Sequence, residues 1–270
     1  MSALDPSGDT ALDLDVSGLT QSQRRIVASV ARALKLAVEF HGNKASDLVD
    51  ERWAEVMGNF LVLHHALHEE PLNKKPFEYV FKRCLIAQGH NAQLNPTPGQ
   101  YAYDIEGNGI RWSLKTEAAK GISARQVKIE KFMEARWIRE CKTPEACAVE
   151  VRTRLSRHIG GYDRIAMLRA FVRSEATIYR LEEIPVSLLL ECFSNAAPDM
   201  FTKNEKRNSP SFGADFYPPG TASRAFRILL DSSVEKIRLW YQTDHCIHHG
   251  TWIIPRVGDD RAIELYASTS

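Results

Sequence analysis

Tyr103-Asp104-Ile105-Glu106-Gly107-Asn108-Gly109-Ile110-Arg111-Trp112-Ser113-Leu114-Lys115 alternates apolar and polar side chains on both sides of an Asn-Gly pair, a pattern that predicts a β-hairpin. A two-residue type I′ loop needs φ > 0 at both central positions, which asparagine and glycine tolerate best. With Asn108-Gly109 as the loop, Gly107 pairs with Ile110, and counting outward sets Asp104 opposite Ser113. Lys115 is then the diagonal neighbour of Asp104, roughly 7–8 Å away. A four-residue loop over Glu106 to Gly109 shifts the register but leaves Asp104, Ser113 and Lys115 together. Only an odd loop would part them, because side chains repeat every second residue. A carboxylate, a hydroxyl and an ammonium therefore share one face of a sheet.

The hairpin stands in basic surroundings. The whole chain of 270 residues has a net charge of only +1, yet residues 1–70 hold 11 acidic and 6 basic residues, leaving 23 acidic and 29 basic in 71–270. Between Arg111 and Arg139, eight Lys/Arg face three Glu (Glu117, Glu130 and Glu134). Such a surface suits a polyanionic substrate.

Outward from the hairpin, helical periodicity covers three N-terminal stretches: Thr20 to Val38, with Thr20 or Ser22 as cap, Ala45 to His68, and Pro76 to Gln88, closed by Gly89. Residues 1–18, acidic and polar, are expected to be disordered. Asn95 to Gly99 reads as a turn, and Tyr101 to Ile105 with Ile110 to Glu117 as the hairpin strands. Ser123 with Gln126 has the spacing of a capping box and predicts a helix over Ala124 to Cys141. A further helix is expected over Pro144 to His158, strands over Arg164 to Arg173 and Thr177 to Glu183, and a short helix from Pro185 through Cys192. Asn195 to Ser223, with Pro198, Pro210, Pro218 and Pro219, reads as a long irregular segment. Strands at Ala225 to Leu230, Lys236 to Gln242 and Cys246 to Ile254 complete an α/β (α+β) architecture, a central mixed β-sheet flanked by helices. One domain is expected over 19–270, with a helical part at 19–75 and the core at 76–270.

An apolar content of 44% supports a folded core. No apolar run reaches the ~18 residues of a membrane span, and the acidic N-terminus is no signal peptide, so a cytoplasmic protein is expected. Cys84, Cys141, Cys147, Cys192 and Cys246 form no CxxC pair and read as free thiols. His64 and His68 are an i, i+4 pair that could share a metal, and His245, Cys246, His248 and His249 lie near one another, but neither group has the HExxH order or a matched second half, so helix and strand histidines are the expected reading. Trp112, Phe132 and Trp137 read as core.

Carboxylates that hold Mg²⁺ beside a lysine can activate water and offset charge on a phosphodiester. Asp104 is the candidate metal ligand, with the Leu114 carbonyl beside it, and Lys115 the candidate catalytic lysine. Asp104 followed by Ser113-Leu114-Lys115 resembles the PD-(D/E)xK nuclease motif, and residues 77 to 137 are similar to type II restriction endonucleases of that superfamily. Tyr103 stands at the motif's proline and Ser113 at its second acid. One branch of the family carries that acid on the following helix, which the resemblance maps to Glu130, fifteen positions after Lys115. Glu117, on the strand, is the rival, and Glu134 lies one turn past Glu130. Glu78 matches the auxiliary acid many such nucleases carry on the preceding helix.

The resemblance implies a restriction-endonuclease-like core and a sequence-specific, Mg²⁺-dependent endonuclease of double-stranded DNA. It also implies 5′-phosphate and 3′-hydroxyl ends, a homodimer on a palindromic site, a cognate methyltransferase and a prokaryotic cytoplasmic setting. Lys203, Asn204, Lys206, Arg207, Asn208 and Arg224 are the candidates for reading bases, since arginine suits guanine and asparagine adenine. Two other readings are a structure-selective repair nuclease and a DNA-binding regulator using the N-terminal helices. The acidic balance of residues 1–70 speaks against the regulator.

Overall fold

Thr20 caps the first helix: its hydroxyl accepts from the Gln23 amide at 3.3 Å while the Gln23 side chain accepts from the Thr20 amide at 2.8 Å. The computed structural model describes residues 16–97, 103–204 and 211–256. It runs α1 (Gln21–Leu34), β1 (Glu39–Gly42), α2 (Glu51–Leu67), α3 (Lys74–Ala87), β2 (Ala92–Leu94), β3 (Ile105–Gly107), β4 (Ile110–Glu117) and β5 (Gln126–Glu134). After a 3₁₀ turn, α4 (Pro144–Glu150) passes through a π-helical turn into α5 (Ser156–Ile159). There follow β6 (Arg164–Val172), β7 (Ala176–Ile184), α6 (Val186–Ser194), β8 (Phe201–Lys203), β9 (Ser211–Phe216), β10 (Phe226–Asp231), β11 (Lys236–Gln242) and β12 (Ile247–Pro255).

The strands form two sheets. One is mixed and seven-stranded, in the order β1-β12-β7-β6-β4-β3-β2, with β4 and β6 parallel. The other is five-stranded and antiparallel, in the order β5-β11-β10-β9-β8. In β6, at the centre of the mixed sheet, alternate side chains enter different cores. Ala166, Leu168 and Ala170 pack with α2 and α3, whereas Ile165 and Met167 pack with α4–α6 and the second sheet. Trp112 and Leu114 of β4 take the α2–α3 side. The polar face of β4, with Ser113, Lys115 and Glu117, is thereby turned toward the second sheet.

Three expectations are corrected. The helix expected over Ala124 to Cys141 is β5 followed by the 3₁₀ turn Arg136–Glu140. Val127, Ile129 and Phe132 are the buried residues of β5, and the register against β11 shifts between Ile237 and Leu239. That bulge breaks the two-residue alternation, so the apolar spacing imitates a helix. The Ser123 hydroxyl caps nothing at Gln126 and instead accepts from the Arg125 amide at 3.2 Å. The first helix stops at Leu34 rather than Val38, because Glu39–Gly42 pairs with β12 and Phe40 lays its ring across Gly250 and against Trp252, 4.8 Å between centroids. Strands β8 and β9 lie inside the segment expected to be irregular. The acidic tail falls largely outside the described residues, as do Pro98 to Ala102 with part of the expected turn and first hairpin strand.

The five cysteines are free thiols, all buried except the half-buried Cys246. Among the described residues no helix is long and apolar enough to cross a membrane. His65, at the end of α2, accepts at Nε2 from the Tyr179 hydroxyl at 2.8 Å, with Nδ1 facing the His68 carbonyl at 3.3 Å. Burial, then the neighbouring His64, pushes its imidazole down to about 4 from an ordinary 6.5. Between those values the unfolded chain takes up a proton that the folded chain refuses, so stability is full above the range and is lost as pH falls through it. Urea melts at pH 7 and pH 4.5 are expected to differ by up to about 3 kcal/mol from this residue, and His65→Gln to reduce the difference. An undiminished difference in that variant would assign the acid sensitivity elsewhere.

Candidate active site

The hairpin has the register its turn chemistry dictates. Asn108 and Gly109 take φ of 52° and 77°, and Gly107 faces Ile110. Gly107 also lies against α3, where an added Cβ would meet the Leu85 side chain at 2.6 Å. Asp104 continues the ladder, its amide donating to the Trp112 carbonyl at 2.7 Å. Its Oδ2 accepts from the Leu114 amide at 2.6 Å and from the Ser113 hydroxyl at 3.4 Å. Asp104, Ser113 and Leu114 are thus tied together, with Lys115 the next residue of the strand.

Asp104 and Lys115 both line a cleft of about 960 Å³. Its walls are β4, the loop 118–123 and β5, with Lys74 from α3, His158 from α5 and Trp240 from β11. Burial pushes the Lys115 amine down to about 8; Lys74 adds to the effect, while Asp104 and Glu78 oppose it. His158 is likewise held below the usual imidazole range by burial and by Lys115. The Tyr162 phenol is pushed up by burial, with Asp104 contributing.

The acids separate by partner. The Oδ1 atom of Asp104 meets the Lys74 ammonium at 2.8 Å, and the same ammonium lies 3.9 Å from Oε1 of the buried Glu78. Lys75 holds the other oxygen of Glu78 at 2.7 Å. Both oxygens of Glu117 are engaged elsewhere, Oε2 by the buried Arg169 at 2.7 Å and Oε1 by the Lys128 amide at 2.9 Å. Glu130 lies on strand β5, not on the helix expected from the sequence. It lines the cleft but is exposed, paired with Lys128 and, at 3.4 Å, with Arg238. The Lys128 hydrogen bond holds its carboxyl below the usual range. Glu134 pairs with Lys131. Part of the basic excess between Arg111 and Arg139 is therefore balanced locally.

Sequence reasoning missed Lys74. Its spacing four residues before Glu78 was a usable signal for their contact, whereas its contact with Asp104 comes only from the fold. Among the described residues no cluster of three or more His, Cys, Asp or Glu could hold a metal. His249 is buried between the Ser46 hydroxyl, 2.8 Å, and Glu183, 3.0 Å. Two acids remain compatible with Mg²⁺, which keeps several waters and takes one or two carboxylates together with substrate phosphate. Asp104 and Glu78 already share one cation, the Lys74 ammonium, so these hard oxygen donors suit that ion.

The described candidates for reading DNA bases, Lys203, Asn204 and Arg224, lie near the two ends of β9. Lys203 pairs with Phe212 near the start of β9, and Asn204 donates its amide to Ser211 at 2.8 Å. Arg224 bonds Asp215 at 2.8 Å near the other end of that strand, beside Arg227 on the second oxygen at 2.9 Å. At about 3.4 Å per residue the two ends of β9 stand on the order of 14 Å apart. Lys206, Arg207 and Asn208 lie outside the described residues.

A carboxylate and a lysine on one sheet face, opening onto a lysine-bearing cleft, make a candidate site whose chemistry suits a phosphate diester. Residues 12–254 match the family described as SmaI, type II site-specific deoxyribonuclease. The chain is 30% identical over 214 residues to the type II restriction enzyme SmaI of Serratia marcescens, covering 77% of this chain and 82% of that protein. No solved structure matches. The chain belongs to the SmaI family of type II site-specific deoxyribonucleases, and is a sequence-specific DNA endonuclease.

Proposed function

We propose that this endonuclease is Mg²⁺-dependent and hydrolyses both strands of a short palindromic DNA site as a homodimer, leaving 5′-phosphate and 3′-hydroxyl ends. In the cell it would act beside a methyltransferase that protects the same site. The observation that carries the reading is the Asp104–Ser113–Lys115 face opening onto the cleft. Asp104 and Glu78 would hold the metal, with the Leu114 carbonyl as a backbone donor. When bound, Mg²⁺ acidifies a coordinated water and offsets charge on the phosphate. Lys115 orients the attacking water or offsets charge on the phosphate oxygens. Ser113 fixes the Asp104 carboxylate through its hydroxyl. Lys120, Lys128 and Lys131 on the cleft walls neutralise flanking phosphates.

Glu78 replaces Glu130 as second acid in this scheme because it alone among the candidate acids shares a cation with Asp104. The test is to incubate the purified protein with unmethylated phage DNA and Mg²⁺, beside an EDTA control, and to sequence the fragment ends. Discrete fragments with 5′-phosphates and one common end sequence are expected, abolished by EDTA. Glu78→Gln is expected to raise the Mg²⁺ concentration needed for half-maximal cleavage at least tenfold, and Glu130→Gln to change it little. The opposite order would return the metal to Glu130. Cleavage that survives EDTA would remove the metal from the scheme.

A further inference from the structure

The position between Asp104 and Glu78 is filled by a side chain of the protein itself. Lys74 stands at the start of α3, and its ammonium contacts Oδ1 of Asp104 at 2.8 Å and lies 3.9 Å from Oε1 of Glu78. The two oxygens of Asp104 have different tasks: Oδ2 is committed to the hairpin through the Leu114 amide and Ser113, while Oδ1 is given over to the cation. Glu78 divides in the same way, with Oε1 toward Lys74 and Oε2 bonded to Lys75. The carboxylates are held by their own elements, with side chains 18% and 10% exposed, whereas the Lys74 side chain is 43% exposed at the mouth of the cleft. Without Lys74, Asp104 would keep its bonds to the Leu114 amide and the Ser113 hydroxyl, and Glu78 its bond to Lys75.

We propose that Lys74 is a built-in counter-cation, which holds the Asp104–Glu78 pair in the metal-free enzyme and must leave before a divalent cation enters. The inference rests on the reading of that pair as the metal site. With Lys74 retained, a dication would be crowded against that ammonium and the nearby Lys115, whose charges already repel. A DNA phosphate arriving in the cleft offers Lys74 a second anionic partner. DNA binding then favours metal entry, and metal binding favours DNA by the same factor, because such linkage is reciprocal. Lys74 acts as a positioning residue: it restricts stable loading of the site to the enzyme already on DNA.

The experiment is a titration of full-length protein with Mn²⁺ as probe, in the absence of DNA, followed by calorimetry and by the loss of the free-ion electron paramagnetic resonance signal. Removing one partly exposed charge partner is expected to tighten Mn²⁺ binding by roughly five- to tenfold in Lys74→Met and Lys74→Gln, while Lys74→Arg stays near wild type. Thermal melts check that each variant is folded, and the two neutral variants guard against a defect peculiar to one. Adding a cleavage-resistant duplex, with non-hydrolysable linkages at the cut positions, in Mn²⁺-limited buffer is expected to tighten binding in wild type more than in Lys74→Met. Equal or weaker Mn²⁺ binding in both neutral variants, with binding lost in Asp104→Asn, would overturn the role of Lys74 alone. Mn²⁺ binding that survives Asp104→Asn would overturn the metal-site reading beneath it.

Discussion

Asp104→Asn is expected to lower single-turnover cleavage by roughly 10³-fold or more while leaving specific DNA binding measurable. The asparagine carbonyl oxygen can still accept from the Leu114 amide, which Asp104 holds at 2.6 Å, so the hairpin is preserved and the charge alone is lost. That charge opposes the burial of Lys115 and faces the cation position. In the proposed scheme a metal-held nucleophile and charge neutralisation would lower the barrier by several kcal/mol, and each ~1.4 kcal/mol is a factor of ten in rate. Binding is expected to be equal or tighter, because one negative charge is removed from a surface that meets phosphate. Lys115→Ala is expected to match it in cleavage: its half-buried side chain carries the cation nearest Asp104 along the strand, and no water in its place can carry a fixed charge. Gel-shift and single-turnover assays on the same oligonucleotide check both. Cleavage within tenfold of wild type in either variant would remove that residue from the chemistry.

The hairpin was legible because its information is local. Asn-Gly defines the loop, the loop defines the register, and the register brings Asp104 to Ser113 without reference to the rest of the chain. The helix caps at Thr20 and Gly89 were legible for the same reason: each uses residues within one turn. Strand β5 was not, because a bulge changes the spacing of buried positions from two to three, and only pairing with β11, more than a hundred residues later, shows it to be a strand. The placement of Glu130 depended on that helix and changed with it. The family resemblance rests on a motif on the hairpin and does not depend on whether the next element is a helix or the strand β5. The second acid and its cation were partly visible, since Lys74 and Glu78 lie four apart on one helix, but their approach to Asp104 is thirty residues distant in the chain. Arg169 gave no signal at all. It sits within the apolar run Ile165 to Val172, where a charged residue reads as an interruption, and its partners come from three other parts of the chain.

Arg169→Met is expected to cost about 3–5 kcal/mol of stability and to lower the unfolding midpoint by roughly 10 °C. The guanidinium is fully buried. It donates to Glu117 at 2.7 Å, to Glu182 at 3.1 Å and to the Gln126 carbonyl at 2.9 Å, and also meets the Ser123 carbonyl. Methionine fills much of the same volume but leaves two carboxylates and two carbonyls without that donor, in surroundings that already push the Glu182 carboxyl upward by burial. The penalty comes from the orphaned acids rather than from the missing contact itself, which distinguishes this site from an exposed ion pair. A triple change, Arg169→Met with Glu117→Gln and Glu182→Gln, removes both stranded charges and is expected to recover a large part of the loss. The location couples this stability to catalysis. Glu117 also accepts from the Lys128 amide, so Arg169 braces β4 against the start of β5 and the loop that walls the cleft. Cleavage by the single variant, measured below its melting point, is therefore expected to fall even where the protein remains folded. Denaturant melts of the single and triple variants, with cleavage rates on the same samples, read both effects. A single variant as stable as wild type would show that the buried network is not what holds the two sheets in register beside Lys115.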